Sequence, residues 1–290
     1  MRTFVAGATG AGGLAFVRRA KEGGHSLHAL SRSAENAHKL EGLVDRIDVR
    51  DVRVGIPSLE GIEVVVSCLG APITMDSGEK RSYREVDFLG NQKILEAALS
   101  AGVGRFVYVS AHVEPAYRDT AYIRAHEEFV DLLRRSGISH SVIGPTGIFT
   151  AFNDFVKFAR KGAIPVIGDG SARTNPVDPA DVADQILLHL EGGPSEISIG
   201  GPEIFTRREI AELAFRVVGK RARVLSVPAG VFRAGAKMAG LMNARVGELL
   251  AFAAAVSTAD CVAPCAGERR LEDHFRGVSR KTPPSGDPRP

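Results

Sequence analysis

A glycine-rich turn close to the amino terminus constrains this chain more than any other feature. Gly7, Gly10 and Gly13 follow one another at intervals of three, inside the run Gly-Ala-Thr-Gly-Ala-Gly-Gly. A short apolar stretch before the turn predicts a strand, and residues 14–22 carry apolar side chains at the spacing of a helix. A strand, a glycine turn and a helix in this order aim backbone N–H groups and the positive end of the helix at one place. They predict a binding site for a pyrophosphate.

Each of the three glycines has its own mechanical role in such a turn. Gly7 permits the sharp turn out of the strand, Gly10 lets the backbone approach the phosphates, and Gly13 lets the helix pack closely on the sheet. A glycine triplet alone often marks only a turn, so the flanking strand and helix are what favour nucleotide binding here. The turn residues that we assign to the nucleotide are Gly7, Thr9, Gly10, Ala11, Gly12 and Gly13.

The composition is that of an ordinary globular protein and excludes several classes of function. A chain of 290 residues with 44% hydrophobic and 24% charged content can bury a sizeable core. The net charge of +3 comes from scattered residues, so we expect no nucleic-acid partner. Charged residues interrupt the longest apolar region, residues 227–262, which predicts no membrane span. With no secretory signal at the start, we expect a cytoplasmic protein.

The three cysteines, Cys68, Cys261 and Cys265, are too few for a disulfide framework and suit a reducing compartment. Cys261 and Cys265 stand four residues apart, but no second pair of Cys or His residues lies near them in the sequence. The pattern therefore predicts no metal site.

Apolar runs alternate with helical patterns through the first half of the chain. This order predicts an α/β fold, a doubly wound parallel sheet of the Rossmann type with a smaller C-terminal α/β lobe. We expect a dinucleotide-binding core over residues 1–150, a substrate lobe packed on it over 151–280, and a proline-rich disordered tail over 281–290. Predicted strands are 3–6, 26–30, 44–48, 64–68, 105–110 and 140–143, and predicted helices are 14–22, 35–41, 83–101 and 122–135, with further helices beginning at 178 or 179 and at 206.

The end of the second predicted strand indicates which dinucleotide is bound. In folds of this kind an acidic residue there favours a free ribose 2′-hydroxyl, whereas an arginine accommodates a 2′-phosphate. The strand ends in Ser-Arg-Ser with no acid, and the guanidinium of Arg32 matches a phosphate. We therefore expect NADP(H) rather than NAD(H). The alternative is that Arg32 is a solvent-facing loop residue.

The ends of the third and fourth predicted strands supply further candidates for cofactor contacts. Asp48 is suited to accept a hydrogen bond from the adenine amino group, although Asp51 competes with it and either residue suits a cap of the next turn. After the fourth strand a small residue lets the backbone pass beneath the ribose and the nicotinamide. The other residues assigned to the cofactor at these strand ends are Val49, Cys68, Leu69 and Gly70.

Several further motifs follow in order along the chain: Val-Asp-Phe-Leu-Gly-Asn, Gly-Val-Gly-Arg-Phe-Val-Tyr-Val-Ser, Gly-Pro-Thr-Gly-Ile-Phe and Asn-Pro-Val-Asp-Pro-Ala-Asp-Val-Ala. Together with the glycine turn they resemble the atypical short-chain dehydrogenase/reductases, in the branch of NAD(P)-binding proteins similar to the NmrA regulator. The resemblance covers residues 1 to about 277. It implies that Ser110 polarises a substrate carbonyl, that Tyr122 is the proton donor, and that Pro145 and Ile148 contact the cofactor.

The chain departs from the family pattern at three positions that concern chemistry. His126 stands four residues after Tyr122, where the family has a lysine that holds the ribose and lowers the pKa of the tyrosine; Asp87 replaces an asparagine, and Gly144 replaces an arginine. An unperturbed tyrosine pKa of about 10 is too high for easy proton donation at neutral pH, so His126 is expected to act as a weaker substitute or as a proton relay. Alternatively, Tyr122 packs on the sheet while His126 and Glu127 face solvent or touch the ribose.

Two functions follow from these observations, and a third stays open. The first is an NADP-dependent oxidoreductase, a reductase or isomerase of a small hydrophobic carbonyl or quinone. The second is a non-catalytic NADP(H)-binding redox sensor, and the third is a structural subunit or assembly factor that retains the cofactor. The expected partner is a small-molecule substrate, and a homodimer is among the oligomeric states left open. Residues that suit an apolar substrate lining, or else plain core, are Phe149, Phe152, Phe155, Phe232 and Met238.

Overall fold

The computed structural model of the protein describes residues 1–74 and 78–281. Its largest feature is a parallel sheet of seven strands in the order β3-β2-β1-β4-β5-β6-β9. The reversal of strand order beside β1 is that of a doubly wound sheet, which confirms the predicted α/β fold of the Rossmann type. The strands are β1 Arg2–Ala6, β2 Ser26–Ser31, β3 Arg46–Val49, β4 Val64–Ser67, β5 Arg105–Val109, β6 Ser139–Pro145 and β9 Glu196–Ile199.

The seventh strand, β9, is not among the strands predicted from the sequence. It pairs in parallel with β6, with Ile143 opposite Ile197 and Pro145 opposite Ile199. Because the strand is only four residues long and follows a Gly-Gly-Pro sequence, its apolar pattern is too short to recognise. Contacts divide the chain into a first unit of Met1–Pro145 with Pro179–Ile199 and a second unit formed by the remaining residues. Residues Pro179–Ile199 thus belong to the first unit, although they lie after residue 150, where the sequence predicts that the dinucleotide-binding core ends.

Burial explains why the central strands form where they do. All four residues of β4 are buried, and so are the last four of β1, as expected for strands covered on both faces by helices. One large cluster of the core contains Phe4, Phe106 and Phe129. The helices of the first unit are α1 Ala11–Glu22, α2 Ala34–Ala37, α3 Asn91–Ser100, α4 Ala121–Arg135 and α6 Pro179–Leu188.

The second unit has its own hydrophobic core, in which Phe149 and Phe152 are buried. For these two phenylalanines the plain-core alternative is therefore the one that the structure shows, whereas Met238 is exposed. The predicted capping box at Thr206 and Glu209 is present and begins α7. The elements of this unit are α5 Asn153–Lys161, β7 Ile164–Ile167, β8 Arg173–Thr174, β10 Phe205–Thr206, α7 Arg207–Val218, β11 Val224–Val227, α8 Ala229–Met242, α9 Ala244–Ser257 and α10 Leu271–Lys281.

The predicted disordered tail begins at Lys281, which is the last residue of α10. The rest of that tail lies outside the described residues. Within the described part of the chain, no helix combines the length and the apolar character needed to cross a bilayer.

Candidate functional site

The glycine turn begins where β1 ends, at the centre of the large sheet. Gly7 has a φ of 70°, in the left-handed region that side chains disfavour. A Cβ at this position would lie 2.4 Å from the carbonyl oxygen of Cys68, which follows β4. Both the backbone conformation and the close approach of the neighbouring strand therefore require glycine here.

The other glycines of the turn differ in what surrounds them. A Cβ on Gly13 would lie 2.2 Å from the carbonyl oxygen of Gly7, so this glycine is needed for packing within the protein. A Cβ on Gly10 would meet only the Gly7 carbonyl oxygen, at 3.4 Å, and a Cβ on Gly12 would meet nothing within 4 Å. Two of the glycines thus border open space, which is the cradle that a closely approaching ligand requires.

The amino end of α1 provides the electrostatic part of the same cradle. Gly10 is the N-cap residue of this 12-residue helix, and no side chain caps it. The first turn of the helix contains no acidic residue. Uncapped N–H groups and the positive end of the helix dipole favour an anion at this point. Thr9 is partly buried and Ala11 is exposed, so the turn is open to a ligand at both residues.

The connection after β4 lies directly beside the turn. The backbone N–H of Cys68 donates to the carbonyl oxygen of Ala6 at 3.0 Å. Burial raises the pKa of the Cys68 thiol to about 12, so the sulfur stays protonated at neutral pH and is not a nucleophile. Gly70 follows at a position where an added Cβ would come within 3.1 Å of a carboxylate oxygen of Asp87.

Asn91 fixes this connection and was not recognised from the sequence. Its side chain is fully buried, and its amide nitrogen donates to the carbonyl oxygens of Leu69 at 3.1 Å and Asp87 at 2.8 Å. Its amide oxygen accepts a hydrogen bond of 2.5 Å from the hydroxyl of Ser67, the last residue of β4. Asn91 is the last residue of the Val-Asp-Phe-Leu-Gly-Asn motif. It could have been recognised because it places a polar amide on the apolar side of a predicted helix.

A cluster of charged residues surrounds Arg32, the candidate for a 2′-phosphate contact. The Arg32 guanidinium donates to the carboxylate of Glu79 at 2.6 Å, and Arg81 donates to the same carboxylate at 2.6 Å. Hydrogen bonds from Arg81, joined by that from Arg32, outweigh the effect of burial and lower the pKa of Glu79 far below its ordinary value. Half of the Arg32 side chain remains exposed. A ligand phosphate at this point would compete with Glu79 for Arg32.

The two residues assigned at the end of β3 have different surroundings. The carboxylate of Asp48 lies 2.5 Å from Nε2 of His28 and 3.0 Å from the guanidinium of Arg46. Burial opposes ionisation of Asp48, but these two hydrogen bonds outweigh it and lower the pKa of the carboxyl group. Val49 ends the strand and is half exposed. The competing candidate, Asp51, accepts hydrogen bonds from the backbone and the side chain of Arg53.

Ser110 follows the last residue of β5, at the carboxyl edge of the sheet where α/β proteins bind ligands. It is buried, and its backbone N–H donates to the carbonyl oxygen of Ile143 at 2.8 Å. Ser110 lines a cleft of about 300 Å³ together with residues of β6, α4 and β9, among them Gly144 and Ser198. At Gly144 an added Cβ would lie 3.1 Å from the carbonyl oxygen of Ala111, so a larger residue there would crowd this edge.

His126 belongs to a buried polar network rather than to the surface. Its Nδ1 shares a hydrogen bond of 2.6 Å with the hydroxyl of Tyr108 on β5. Its Nε2 lies 3.3 Å from a carboxylate oxygen of Asp87, within ion-pair range but without the alignment of a hydrogen bond. All three side chains are buried. Burial, reinforced by the Asp87 charge, raises the pKa of Tyr108 well above its ordinary value, so the phenol stays protonated. The solvent-facing alternative for His126 is therefore wrong.

Tyr122 packs on the edge of this network. Its ring meets that of His126 at 4.6 Å with an angle of 80°, and that of Tyr83 at 5.0 Å with an angle of 66°. Edge-to-face contacts of this kind fix the ring plane. Tyr122 is only partly buried, unlike the three residues of the network. His126 thus positions Tyr122 by ring packing, in the place where the resemblance leads one to expect a lysine.

Asp87 owes its position to an unusual helical segment. Residues Arg84–Gly90 form a π-helix, which is wider than an α-helix and runs directly into α3. Such segments are rare and are frequent at functional sites. Both carboxylate oxygens of Asp87 accept a hydrogen bond from the backbone N–H of Ala71, at 3.2 Å. Asp87 therefore joins the connection after β4 to the network around His126.

The last two assigned residues lie in different units of the protein. Pro145 ends β6, and its carbonyl oxygen accepts a hydrogen bond of 2.8 Å from the backbone N–H of His112. Ile148 belongs to the second unit and forms a parallel bridge with Val177.

A family model described as NAD(P)H-binding matches residues 7–191. The chain belongs to this NAD(P)H-binding family. The match starts at the glycine turn and extends over the elements that carry Arg32, Cys68, Ser110 and Tyr122. It confirms the resemblance found in the sequence and shows that the ligand class of the family is NAD(P)H.

Relatives of this NAD(P)H-binding protein include both an enzyme and an assembly factor. It is 28% identical over 220 residues to a chloroplastic divinyl chlorophyllide a 8-vinyl-reductase of Cucumis sativus, covering 72% of this chain and 51% of the reductase. It is 22% identical over 241 residues to the photosystem II assembly factor Ycf39 of Cyanophora paradoxa, covering 79% of this chain and 72% of that protein. The chain spans only 58% and 51% of the length of two of the curated relatives that it matches.

Solved structures confirm the fold of the NAD(P)H-binding protein. The NADPH-dependent quinone oxidoreductase QOR2 of Escherichia coli, crystallised with NADPH, superposes with a TM-score of 0.67 at 17% sequence identity. The superposition covers 88% of this chain and 88% of the oxidoreductase.

Proposed function

We propose that this protein is an NADP(H)-dependent oxidoreductase that reduces a small hydrophobic carbonyl or quinone compound. The observation that carries the proposal is the open space over Gly10 and Gly12 at the uncapped amino end of α1. A pyrophosphate fits there because bare backbone amides can reach it and the helix dipole favours its charge. When bound, the reduced nicotinamide supplies a hydride.

The protein's own groups supply the proton and hold the substrate. In the proposed reaction the hydroxyl of Ser110 donates a hydrogen bond to the substrate oxygen, and the hydroxyl of Tyr122 gives that oxygen its proton. The Tyr122 hydroxyl then regains a proton from water. His126 acts as a positioning residue, because its ring packs on Tyr122 while Tyr108 and Asp87 hold it. The product is an alcohol or a hydroquinone.

Arg32 supports NADP(H) as the specific cofactor. Its guanidinium is half exposed, and no acidic residue ends β2, where one would bind a free ribose 2′-hydroxyl. Replacing Arg32 by alanine is expected to weaken the binding of NADPH about tenfold more than the binding of NADH, since only NADPH carries the 2′-phosphate. Arg50, a nearby loop arginine in the sequence, provides the control substitution Arg50→Ala. Equal weakening of both cofactors by Arg32→Ala would remove the NADP(H) assignment.

A second candidate function rests on His126. A lysine would bring a permanent cation to the nicotinamide ribose, whereas this histidine is fully buried and both of its ring nitrogens face groups of the protein. A histidine in place of the lysine impairs proton transfer more than it impairs cofactor binding. The alternative is therefore a non-catalytic NADP(H)-binding regulator or assembly factor. The likeness to Ycf39 as well as to a reductase is compatible with both functions.

One pair of measurements separates the two functions. Fluorescence titration gives the affinity for NADPH and NADH, and the nicotinamide absorbance band follows turnover with a panel of quinones and aldehydes. Turnover that falls about a hundredfold or more in Tyr122→Phe, with cofactor affinity unchanged, supports the reductase. The matched control is Tyr117→Phe, which removes the hydroxyl of a buried tyrosine from the connection before α4. Tight binding with no turnover on any compound supports the regulator, and no binding of either cofactor would overturn both.

A further inference from the structure

Helix α8 exposes an apolar stripe that is unusual for a globular protein. Val231, Met238, Leu241 and Met242 are 66%, 70%, 90% and 93% exposed. At 100° per residue these four side chains, with the exposed Ala234 and Gly235 between them, lie within an arc of roughly 120°. Exposed apolar residues that stand alone are normal, but a continuous stripe marks an interaction surface.

The opposite side of α8 is already covered. Helices α8 and α9 form a closely packed pair, because a Cβ on Gly247 would come within 2.5 Å of the Cα of Gly240. Ala236 is buried on that side. The stripe therefore cannot be the core-facing side of the helix, and its partner must come from outside the second unit's own core.

The charges around the stripe identify the partner's chemistry. Lys237 lies on α8 one turn before Leu241 and flanks the stripe. Arg233 lies one turn further back and further from the stripe, and its guanidinium also donates to the hydroxyl of Thr258 at 3.3 Å. The sequence from residue 213 to 247 contains no acidic residue. It does contain the basic residues Arg216, Lys220, Arg221, Arg223, Arg233, Lys237 and Arg245. An apolar stripe beside cations matches a surface that is apolar beneath and anionic on top.

We propose that α8 lies in the surface of an anionic lipid bilayer. Val231, Met238, Leu241 and Met242 would enter the boundary of the acyl chains, while Arg233 and Lys237 meet the headgroup phosphates. The 14-residue helix is about 21 Å long, short of the ~30 Å of a hydrocarbon core, so it lies along the surface. A second copy of the chain is the weaker partner, because a symmetric contact through this stripe would bring cations against cations.

The apolar part of the proposal is tested by co-sedimentation of the full chain with vesicles. Vesicles of equal parts phosphatidylglycerol and phosphatidylcholine should bind the protein, and vesicles of phosphatidylcholine alone should bind it much more weakly. The double substitution Leu241→Ser and Met242→Ser should reduce binding at least about tenfold. The matched control is Val54→Ser with Leu188→Ser, which removes two apolar side chains that are 81% and 70% exposed elsewhere. An equal loss in the control pair would overturn the proposal.

The cationic part has its own test. Neutralising both charges, Arg233→Gln with Lys237→Gln, should weaken binding to the anionic vesicles about thirtyfold, and raised salt should have the same effect on the wild type. The matched control is Arg124→Gln with Arg135→Gln, two exposed arginines of α4. Absence of vesicle binding by the wild type would overturn the proposal. So would sedimentation equilibrium showing a dimer that Leu241→Ser with Met242→Ser dissociates, because the stripe would then bind a second copy.

Discussion

The glycine turn and helix α4 form the two parts of the candidate site, and they are built in opposite ways. In the turn, backbone atoms determine the geometry: Gly7 and Gly13 are fixed by carbonyl groups of nearby residues, and Gly10 borders open space. In α4, side chains from other elements determine it: His126 is held by Tyr108 of β5 and by Asp87 of the π-helical segment. The turn is thus set by main-chain conformation and main-chain contacts, and the surroundings of α4 by side chains that come from distant elements.

The glycine turn and helix α4 differ in how strongly one substitution can alter them. A backbone cradle contacts a pyrophosphate through main-chain amides, so it does not depend on one particular side chain. A buried network can be altered by one substitution, because an unpaired polar group inside a protein is costly. The lysine expected from the resemblance is replaced in α4, while the glycine turn is complete. The four predictions below test this contrast, from the largest expected effect to the smallest.

Substituting Gly10 by valine should separate binding from folding within the turn. Its backbone has φ −74° and ψ 168°, which any residue adopts, and a Cβ there meets only one atom, at 3.4 Å. We expect a melting temperature near that of the wild type and an affinity for NADPH and NADH that falls about a hundredfold, since a side chain occupies the cradle. Fluorescence titration and thermal unfolding measure the two quantities.

The matched control for this prediction is Gly13→Ala. A Cβ at Gly13 would lie 2.2 Å from a backbone carbonyl oxygen, so this smaller substitution should destabilise the fold by roughly 3 kcal/mol. If Gly10→Val unfolds the protein as readily as Gly13→Ala does, then the turn does not leave open space for a ligand and the contrast breaks down.

Removing the His126 side chain should destabilise the protein through its buried neighbours. In His126→Ala the Tyr108 hydroxyl loses its partner and the Asp87 carboxylate loses its nearest ring nitrogen. We expect a loss of roughly 3 kcal/mol in the free energy of unfolding, measured with urea. Glu128→Ala, on the exposed side of the same helix, breaks only a surface ion pair with Arg84 and should cost less than about 1 kcal/mol. Similar values for both variants would show that the network does not stabilise α4.

The charged cluster around Glu79 should make stability depend on pH with a defined sign. Arginine contacts lower the folded-state pKa of Glu79 below its ordinary value of 4.5. The stabilisation is therefore complete above that value and is lost as the pH falls towards the folded-state pKa. At neutral pH, Glu79→Gln should lower the free energy of unfolding by roughly 2 kcal/mol, and this difference should shrink in acid.

The same variant bears on the cofactor. Because Glu79→Gln releases Arg32 from a carboxylate, NADPH affinity should rise while NADH affinity stays the same. Glu60→Gln, at an exposed glutamate, is the control for the loss of one negative charge. A difference in stability that grows in acid would contradict the ionised state of Glu79.

The smallest effect concerns the thiol next to the turn. With a pKa of about 12, Cys68 holds almost no thiolate in mildly alkaline buffer, so it should react slowly with iodoacetamide. The exposed Cys265 provides the internal control in the same experiment. Peptide mass spectrometry should find Cys265 alkylated first, in both the presence and the absence of NADPH. Faster labelling of Cys68 would show that the connection after β4 is more open than the structure has it.

Several parts of this architecture could be predicted because their causes are local. The first strand, the turn and α1 depend on neighbouring residues, and so does the capping box at Thr206. The burial of His126 could not be predicted, because Glu127 and Glu128 follow it and give the segment the pattern of a solvated face. Its surroundings come from Tyr108 and from the π-helical segment, and nothing in the local sequence distinguishes that segment from the start of an ordinary α-helix.

The placement of β9 in the chain affects synthesis of the protein. During translation β6 emerges early, followed by the first stretch of the second unit, Thr146–Asp178, and only then by the strand that covers its free edge. Until Glu196–Ile199 arrives, the nascent sheet ends in the seven-residue β6, a longer unpaired edge than the four-residue β9 that later replaces it. A fragment truncated after Pro145 would keep the whole glycine turn but lack α6 and β9, so the first unit is not separable by a single cut.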